Sequence, residues 1–312
     1  MKQLKKILIP MLLISVLIFS ACSKQTSKGT NTTSPEVASP KTITYQSENG
    51  AIVVPSNPQR IVVLYGTLSG HVMALGGNIV GVEKWSMDNP RYKQYLTKAV
   101  EVSDENLEKI VELKPDLIIA GSTSKNLDKL AKIAPTVSFT YGKLDYLTQY
   151  IEVGKLMNKE KQAKVWVDNF KIKAKKAGED IKAKIGANST VSVIEGDNKQ
   201  LYVYGNNWGR GTEILYQEMG LKMPEKVVAN ALKPGYFAIS SEVLPEYAGD
   251  YMVLCKNSAG DNSFQKTDTY KNIPAVKNNK VLEIEANGFY FNDPISLDYQ
   301  LDTFTKYFLG NK

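Results

Sequence analysis

The stretch Leu201-Tyr-Val-Tyr-Gly-Asn-Asn-Trp-Gly-Arg-Gly-Thr212 is the part of this chain best equipped to hold a ligand, because it sets Trp208 and Arg210 two positions apart among glycines. Glycine on either side frees the backbone to aim both side chains the same way. The front end alternates like a strand, and Gly205 to Gly211 is a loop that feeds a helix near Thr212. Loops at the carboxyl ends of strands are where α/β proteins bind ligands. The alternative for Trp208 is a place in the core, and for Arg210 a surface ion pair.

Three further aromatic loops follow strand candidates. Tyr290 lies in Asn287-Gly-Phe-Tyr-Phe-Asn-Asp-Pro294, Trp85 in Lys84-Trp-Ser-Met-Asp-Asn-Pro90, and Tyr141 in Phe139-Thr-Tyr-Gly-Lys143. Together the four loops would line a single cleft, aromatic and apolar with one fixed cation, which is the composition of a small-molecule pocket.

Catalytic chemistry has little to stand on. The chain has one histidine, His71, within Leu68-Ser-Gly-His-Val-Met-Ala-Leu75, where the helical spacing of apolar residues favours packing over metal ligation. Cys255 closes the apolar run from Tyr251 and reads as a core filler, since few bases are present to activate it. No phosphate-binding loop, nucleophile elbow, zinc-binding HExxH or CxxC occurs. An exported hydrolase is disfavoured on these grounds, and the chain is expected not to be an enzyme and to need no cofactor.

The elements that would position the loops alternate. Ile61 to Tyr65, Ile79 to Val82, Leu117 to Ala120 and Thr136 to Phe139 read as buried strands separated by amphipathic segments, the pattern of a parallel sheet. Lys159 to Ile185 reads as one helix of about 27 residues and ~40 Å. Beyond it the strand candidates are Thr190 to Glu195, Leu201 to Tyr204, Tyr251 to Cys255 and Val281 to Ile284, with helices at Gly211 to Met219 and Leu301 to Phe308. The expected fold is α/β, with two Rossmann-like lobes at 42–158 and 187–312 joined by a rigid helix at 159–186 and a ligand cleft between them. An internal echo supports two related halves. Glu108 is followed eight residues later by Asp116 and a buried strand, and Glu242 stands in the same relation to Asp250.

The beginning of the chain carries an address. Lys2, Lys5 and Lys6 precede an apolar run from Ile7 to Phe19 and then Ser20, Ala21 and Cys22, the layout of an export signal and too short for a stable membrane span. The ending resembles the bacterial lipoprotein box, which implies a signal peptide at 1–21 and lipid on Cys22; a plain secretory signal is the alternative. The polar residues of 22–41 would form a flexible tether. The formal charge of +7 includes three leader lysines, and with no block of basic residues in the body it does not point to nucleic acid. In the body Cys255 is the one thiol, so an intramolecular disulfide there is ruled out.

Over residues 42 to 312 the chain resembles the substrate-binding lipoproteins of Gram-positive ABC importers, in the class with two lobes on a single long helix. Within that class it is similar to the iron(III)-hydroxamate siderophore-binding proteins. The residues that carry the likeness are Asn57-Pro-Gln-Arg-Ile-Val-Val63, Leu113-Lys-Pro-Asp-Leu-Ile-Ile119, Tyr204-Gly-Asn-Asn-Trp-Gly-Arg-Gly211, Glu246-Tyr-Ala-Gly-Asp-Tyr251 and Asn292-Asp-Pro294. The resemblance implies that Trp208 and Arg210 contact the ferric complex, with Tyr202 and Tyr290 as aromatic neighbours. It also implies that Glu108 and Glu242 dock on arginines of an ABC permease, which works with its ATPase. The protein is then expected to be a monomer tethered to the extracellular face of the cell membrane, with no direct protein ligand to iron. The same fold with haem, a corrinoid or a catecholate siderophore is the alternative. Haem or a corrinoid would need a tyrosine or Met73 near the metal, whereas a triply anionic catecholate would need extra cations such as Lys84 and Lys143.

Overall fold

A computed structural model describes residues 41–257 and 259–310 of the chain. The expected signal peptide, Cys22 and nearly all of the tether lie outside the described residues. The described residues form twelve strands: β1 (Thr42–Ser47), β2 (Gly50–Pro55), β3 (Ile61–Leu64), β4 (Ile79–Val82), β5 (Val100–Glu101), β6 (Leu117–Gly121), β7 (Thr136–Phe139), β8 (Val191–Gly196), β9 (Leu201–Tyr204), β10 (Tyr236–Ile239), β11 (Tyr251–Lys256) and β12 (Val281–Glu285). They form an antiparallel β1–β2 hairpin and two five-stranded sheets, ordered β5-β4-β3-β6-β7 and β10-β9-β8-β11-β12.

The first sheet is wholly parallel. Its central strands are apolar at nearly every position and buried along their whole length, because helices cover both faces. In the second sheet β8, β11 and β12 run parallel, but β8–β9 and β9–β10 are antiparallel. The two lobes thus share three strands of topology and differ on one flank. The β1–β2 hairpin and strands β5 and β10 were not foreseen: β5 has only two residues, and β10 is an edge strand whose side chains are mostly exposed and so lack a burial pattern.

The internal echo has a structural counterpart. Asp116 accepts from the backbone N–H of Gln59 (2.6 Å) and Arg60 (2.8 Å), just before β3, and Asp250 accepts from the N–H of Thr190 (2.8 Å), just before β8. Each carboxylate satisfies donors at the open end of its lobe's central strand pair, β3–β6 in one lobe and β8–β11 in the other.

The linking helix runs over Glu160–Ile185. It buries Ala163, Val167, Phe170, Ala174, Ala177, Gly178 and Ile181, a stripe at three- and four-residue intervals. Gly178 is required by close approach, since a Cβ there would lie 2.1 Å from the carbonyl oxygen of Met219. Lysines tie the ends: Lys159 donates to the carbonyl of Leu75 in the first lobe and Lys184 to that of Leu309, both at 2.5 Å.

The final helix, Pro294–Leu309, begins seven residues earlier than its apolar periodicity suggests, because Asp293 caps it by accepting from Ile295 and Ser296. It does not stay within the second lobe. It packs on the linking helix and on the short helix Ser69–Ala74 of the first lobe, and Tyr92 of that lobe donates to Asp293 at 2.5 Å. One apolar core consequently runs from the inner face of the first sheet through the linking helix to the inner face of the second, with a separate layer outside each sheet. Met73 and His71 belong to the interior of the Ser69–Ala74 helix, and Cys255 is fully buried. Among the described residues no helix is long and apolar enough to cross a membrane.

Candidate functional site

The loop after β9 is held from within. Thr212 donates to the carbonyl of Gly209 (2.8 Å) and accepts from the N–H of Trp208 (3.2 Å), while the buried carboxylate of Glu213 accepts from Gly209 N–H (3.0 Å). Burial pushes the Glu213 carboxyl up, and Asn292 donates to it at 2.8 Å. Arg210 takes a left-handed backbone conformation (φ 58°), unusual for a residue with a Cβ, and its N–H donates to the carbonyl of Phe289 at 2.6 Å. The strained turn is therefore seated on the Phe289–Asn292 loop, and the two loops identified from sequence form one surface.

Arg210 is partnered. Its Nε donates to Glu195 Oε2 at 2.6 Å and its Nη1 to the carbonyl of Trp208 at 2.8 Å, with the guanidinium 4.6 Å from the centre of the Tyr204 ring and 4.5 Å from that of Tyr290. Tyr290 and Tyr204 also donate to Glu195, at 2.6 and 2.9 Å. Burial and the neighbouring carboxylate push both phenols well above their ordinary range. Burial opposes the Arg210 charge most strongly, but Glu195, Tyr204 and Cys255 together outweigh it and hold the guanidinium pKa above its usual value. The side chains of Arg210 and Glu195 are only 18% and 13% exposed, so the pair is neither the lone cation expected in the cleft nor a surface ion pair.

Aromatic rings extend from this centre. Trp208 is half-buried and meets Tyr236 edge-on at 5.0 Å, and Tyr202 meets Tyr236 edge-on at 5.9 Å. Gly235 is obligatory beside them, because a Cβ there would collide with the Trp208 indole. From the first lobe, Tyr141 comes within 6.1 Å of Trp208, and Trp85 within 6.2 Å of Tyr290 and 4.6 Å of Phe291. Trp85, Tyr141 and Tyr236 remain 45%, 64% and 42% exposed, presenting apolar faces to the cleft. All six expected residues, Trp85, Tyr141, Tyr202, Trp208, Arg210 and Tyr290, thus fall in one cluster. Glu195 and Tyr236 were missed. Glu195 ends an ordinary buried strand, and Tyr236 lies on the unforeseen β10.

The first lobe adds a cavity of about 290 Å³ at the carboxyl ends of its strands, lined by Tyr65, Glu83, Asp104, Gly121 and Ser124 among others. Burial raises the Glu83 carboxyl, and neither Glu83 nor Asp104 forms a salt bridge among the described residues. Lys84 and Lys143, the extra cations that a catecholate complex would need, pair instead with Asp88 (3.1 Å) and Glu48 (3.3 Å). Met73 is packed in the core and does not line the cluster. Among the described residues no group of histidine, cysteine or acidic side chains is placed to hold a metal ion.

The match to known proteins follows this geometry. The periplasmic binding protein family matches residues 61–287, from the first strand of the parallel sheet to the loop after β12. The chain belongs to that family. Among periplasmic binding proteins it is 36% identical to the iron(3+)-hydroxamate-binding protein FhuD of Bacillus subtilis, over 98% of this chain and 97% of that one. It is 36% identical to the iron(3+)-hydroxamate-binding protein YxeB of the same organism, over 96% and 95%. The structure of FhuD2 from Staphylococcus aureus with bound ferrioxamine B superposes with a TM-score of 0.76 at 34% identity, covering 81% of this chain and 99% of that one.

Glu108 and Glu242 stand apart from the cluster. Glu108 is exposed in the first turn of the helix Leu107–Glu112, and Glu242 is exposed two residues before the helix Leu244–Tyr247, where a bond with Ser240 holds its carboxyl below the ordinary range.

Proposed function

We propose that this chain is an extracellular substrate-binding lipoprotein of an ABC importer, which captures ferric hydroxamate siderophores at the Trp208–Arg210 cluster and delivers them to a permease for iron uptake. The observation that carries this reading is the convergence of Arg210 and the rings of both lobes on one cleft, in a chain alike over nearly its whole length to iron-hydroxamate binders. Three hydroxamates neutralise ferric iron and fill its coordination sphere, so the protein has to recognise oxygen acceptors and carbon chains and need not supply a metal ligand. Arg210 retains Nη2 for those oxygens, since that nitrogen makes no hydrogen bond to the described residues. The aromatic walls bury the chains. Membership of a binding-protein family supports capture without turnover.

Glu108 and Glu242 are the proposed contacts with the permease, one per lobe. Cys22 is the proposed lipid-bearing residue, the residues before it a signal peptide and those up to 41 a tether to the membrane. The binding-protein body at 42–312 divides into lobes at 42–158 and 187–312 about the linking helix.

Titration with ferrioxamine B tests capture directly. The tryptophans should be quenched with a one-to-one endpoint, and the protein should retain the broad visible band of hydroxamate-to-iron charge transfer through gel filtration. A sharp Soret band gained from haem, with no response to ferrioxamine B, would replace this reading.

A further inference from the structure

We infer that the cleft selects among ferric complexes by charge, admitting neutral and cationic hydroxamates and turning away anionic ones, with Glu195 as the residue that sets this preference. The inference rests on the proposed function and deepens it.

The cation of the site does not act as a net positive charge. Glu195 lies against Arg210 at 2.6 Å in a largely buried position, so their fields cancel for a ligand arriving from the cleft while the remaining guanidinium N–H groups still donate. Glu195 is itself fixed by Tyr290 and Tyr204, so the carboxylate is held in place when Arg210 engages a ligand. The first lobe contributes the opposite sign. Glu83 and Asp104 line its cavity, and Lys84, next to Glu83, is drawn off to Asp88. The Ser124 hydroxyl and the Lys125 backbone N–H donate to Asp104 at 2.5 and 3.3 Å, neutral donors that leave its net charge in place. The Lys84–Met87 helix joins the cavity to the ligand cluster. Glu83, which lines the cavity, immediately precedes that helix, and its Trp85 comes within 6.2 Å of Tyr290 across the cleft. A bound complex therefore has a locally neutral donor on one side and an acidic wall on the other. Carboxylate-bearing and catecholate complexes meet unfavourable potential there, whereas a pendant ammonium meets carboxylates.

A charge series built on one iron centre isolates this effect. Ferrioxamine B carries a pendant ammonium, its N-acetyl derivative is neutral, and its N-succinyl derivative ends in a carboxylate, all with the same trihydroxamate. At low ionic strength the full-length protein should bind the succinyl form about tenfold more weakly than the acetyl form, and the ammonium form at least as tightly as the acetyl form. Glu195→Gln should raise the succinyl-to-acetyl affinity ratio by about tenfold, because Arg210 then acts as a net cation. The double change Glu83→Gln and Asp104→Asn should remove the preference for the ammonium over the acetyl form, and it reads out even if Glu195→Gln fails to fold. Wild-type protein that binds the succinyl form as tightly as the acetyl form overturns the selection while leaving hydroxamate capture standing. Failure of all three to bind overturns the capture reading and the selection with it.

Discussion

Arg210 illustrates how much a single side chain is asked to do at this site. Its backbone sits in a conformation that disfavours a Cβ, costing on the order of 1 kcal/mol, and the seat on Phe289 together with the Glu195 and Trp208 bonds offsets that cost. Replacement of the donor or of the indole wall has a predictable scale. Arg210→Ala and Trp208→Ala should each weaken ferrioxamine B binding by about 1.5 to 3 kcal/mol, the range for a hydrogen bond to a charged group and comparable to a large aromatic contact. Arg210→Lys should recover little, since an ammonium cannot reach Glu195 and the Trp208 carbonyl as a planar fork does. Fluorescence titration measures all three. Unchanged dissociation constants for both alanine variants, with normal circular dichroism, would move the site elsewhere.

At the scale of elements, the short helix Ser69–Ala74 places the sole histidine of the chain in a shell of aromatic and apolar groups. The His71 ring is 5.7 Å from that of Tyr150, and a Cβ on neighbouring Gly70 would strike Asp293 of the C-terminal helix cap. Burial pushes the His71 pKa below its ordinary 6.5, against a weaker opposing pull from Asp293. The sign follows from linkage. Below pH 6.5 the unfolded chain takes up a proton that the folded chain refuses, so stability is intact above that pH and falls as the pH drops through it. Between pH 7.5 and 5.5 the loss from this one group should not exceed about 1.4 kcal/mol. Urea unfolding at the two pH values should show the loss in wild type and a smaller one in His71→Gln. An equal acid-side loss in the variant would mean that other groups account for it.

Under the proposed function the whole molecule would bind a ligand on one face and a transporter on another. Exposed glutamates eight residues before Asp116 and Asp250, one on each lobe, would suit a two-subunit permease, where charge sets register and encounter rate more than ligand affinity. A carboxylate near a helix start is mildly favourable in any protein, so ligand binding and uptake have to be separated. Glu108→Ala and Glu242→Ala should leave ferrioxamine B titrations unaltered and lower iron uptake by whole cells, with the double variant lower than either. Wild-type uptake by the double variant would reduce both residues to helix-end charges. The anchor is tested on the same cells: Cys22→Ala should appear in the medium or keep its signal, and normal membrane fractionation of that variant would rule out the lipid.

Local pattern was enough for much of this architecture. The buried strands of both sheets and the linking helix are legible because each is a run whose burial follows its own period, continuous for β3, β4 and β6 and three-to-four-spaced for Glu160–Ile185. The Trp208–Arg210 loop is legible too, since its glycines mark a turn that the side chains between them do not need for packing. What the sequence could not determine is who faces whom. Glu195 lies fifteen residues from Arg210 and ninety-five from Tyr290, and it reads as the end of an ordinary strand until β8, β9 and the loop after β12 converge. Tyr236 becomes part of the site only because β10 pairs antiparallel with β9, an arrangement set by backbone hydrogen bonds to a neighbour and not by its own alternation. The return of the C-terminal helix to the first lobe likewise rests on distant contacts, its packing on the helix Ser69–Ala74 and the bond from Tyr92 to Asp293. Periodicity reports what a segment buries, and tertiary packing alone decides which charges share a pocket and therefore what sign that pocket presents.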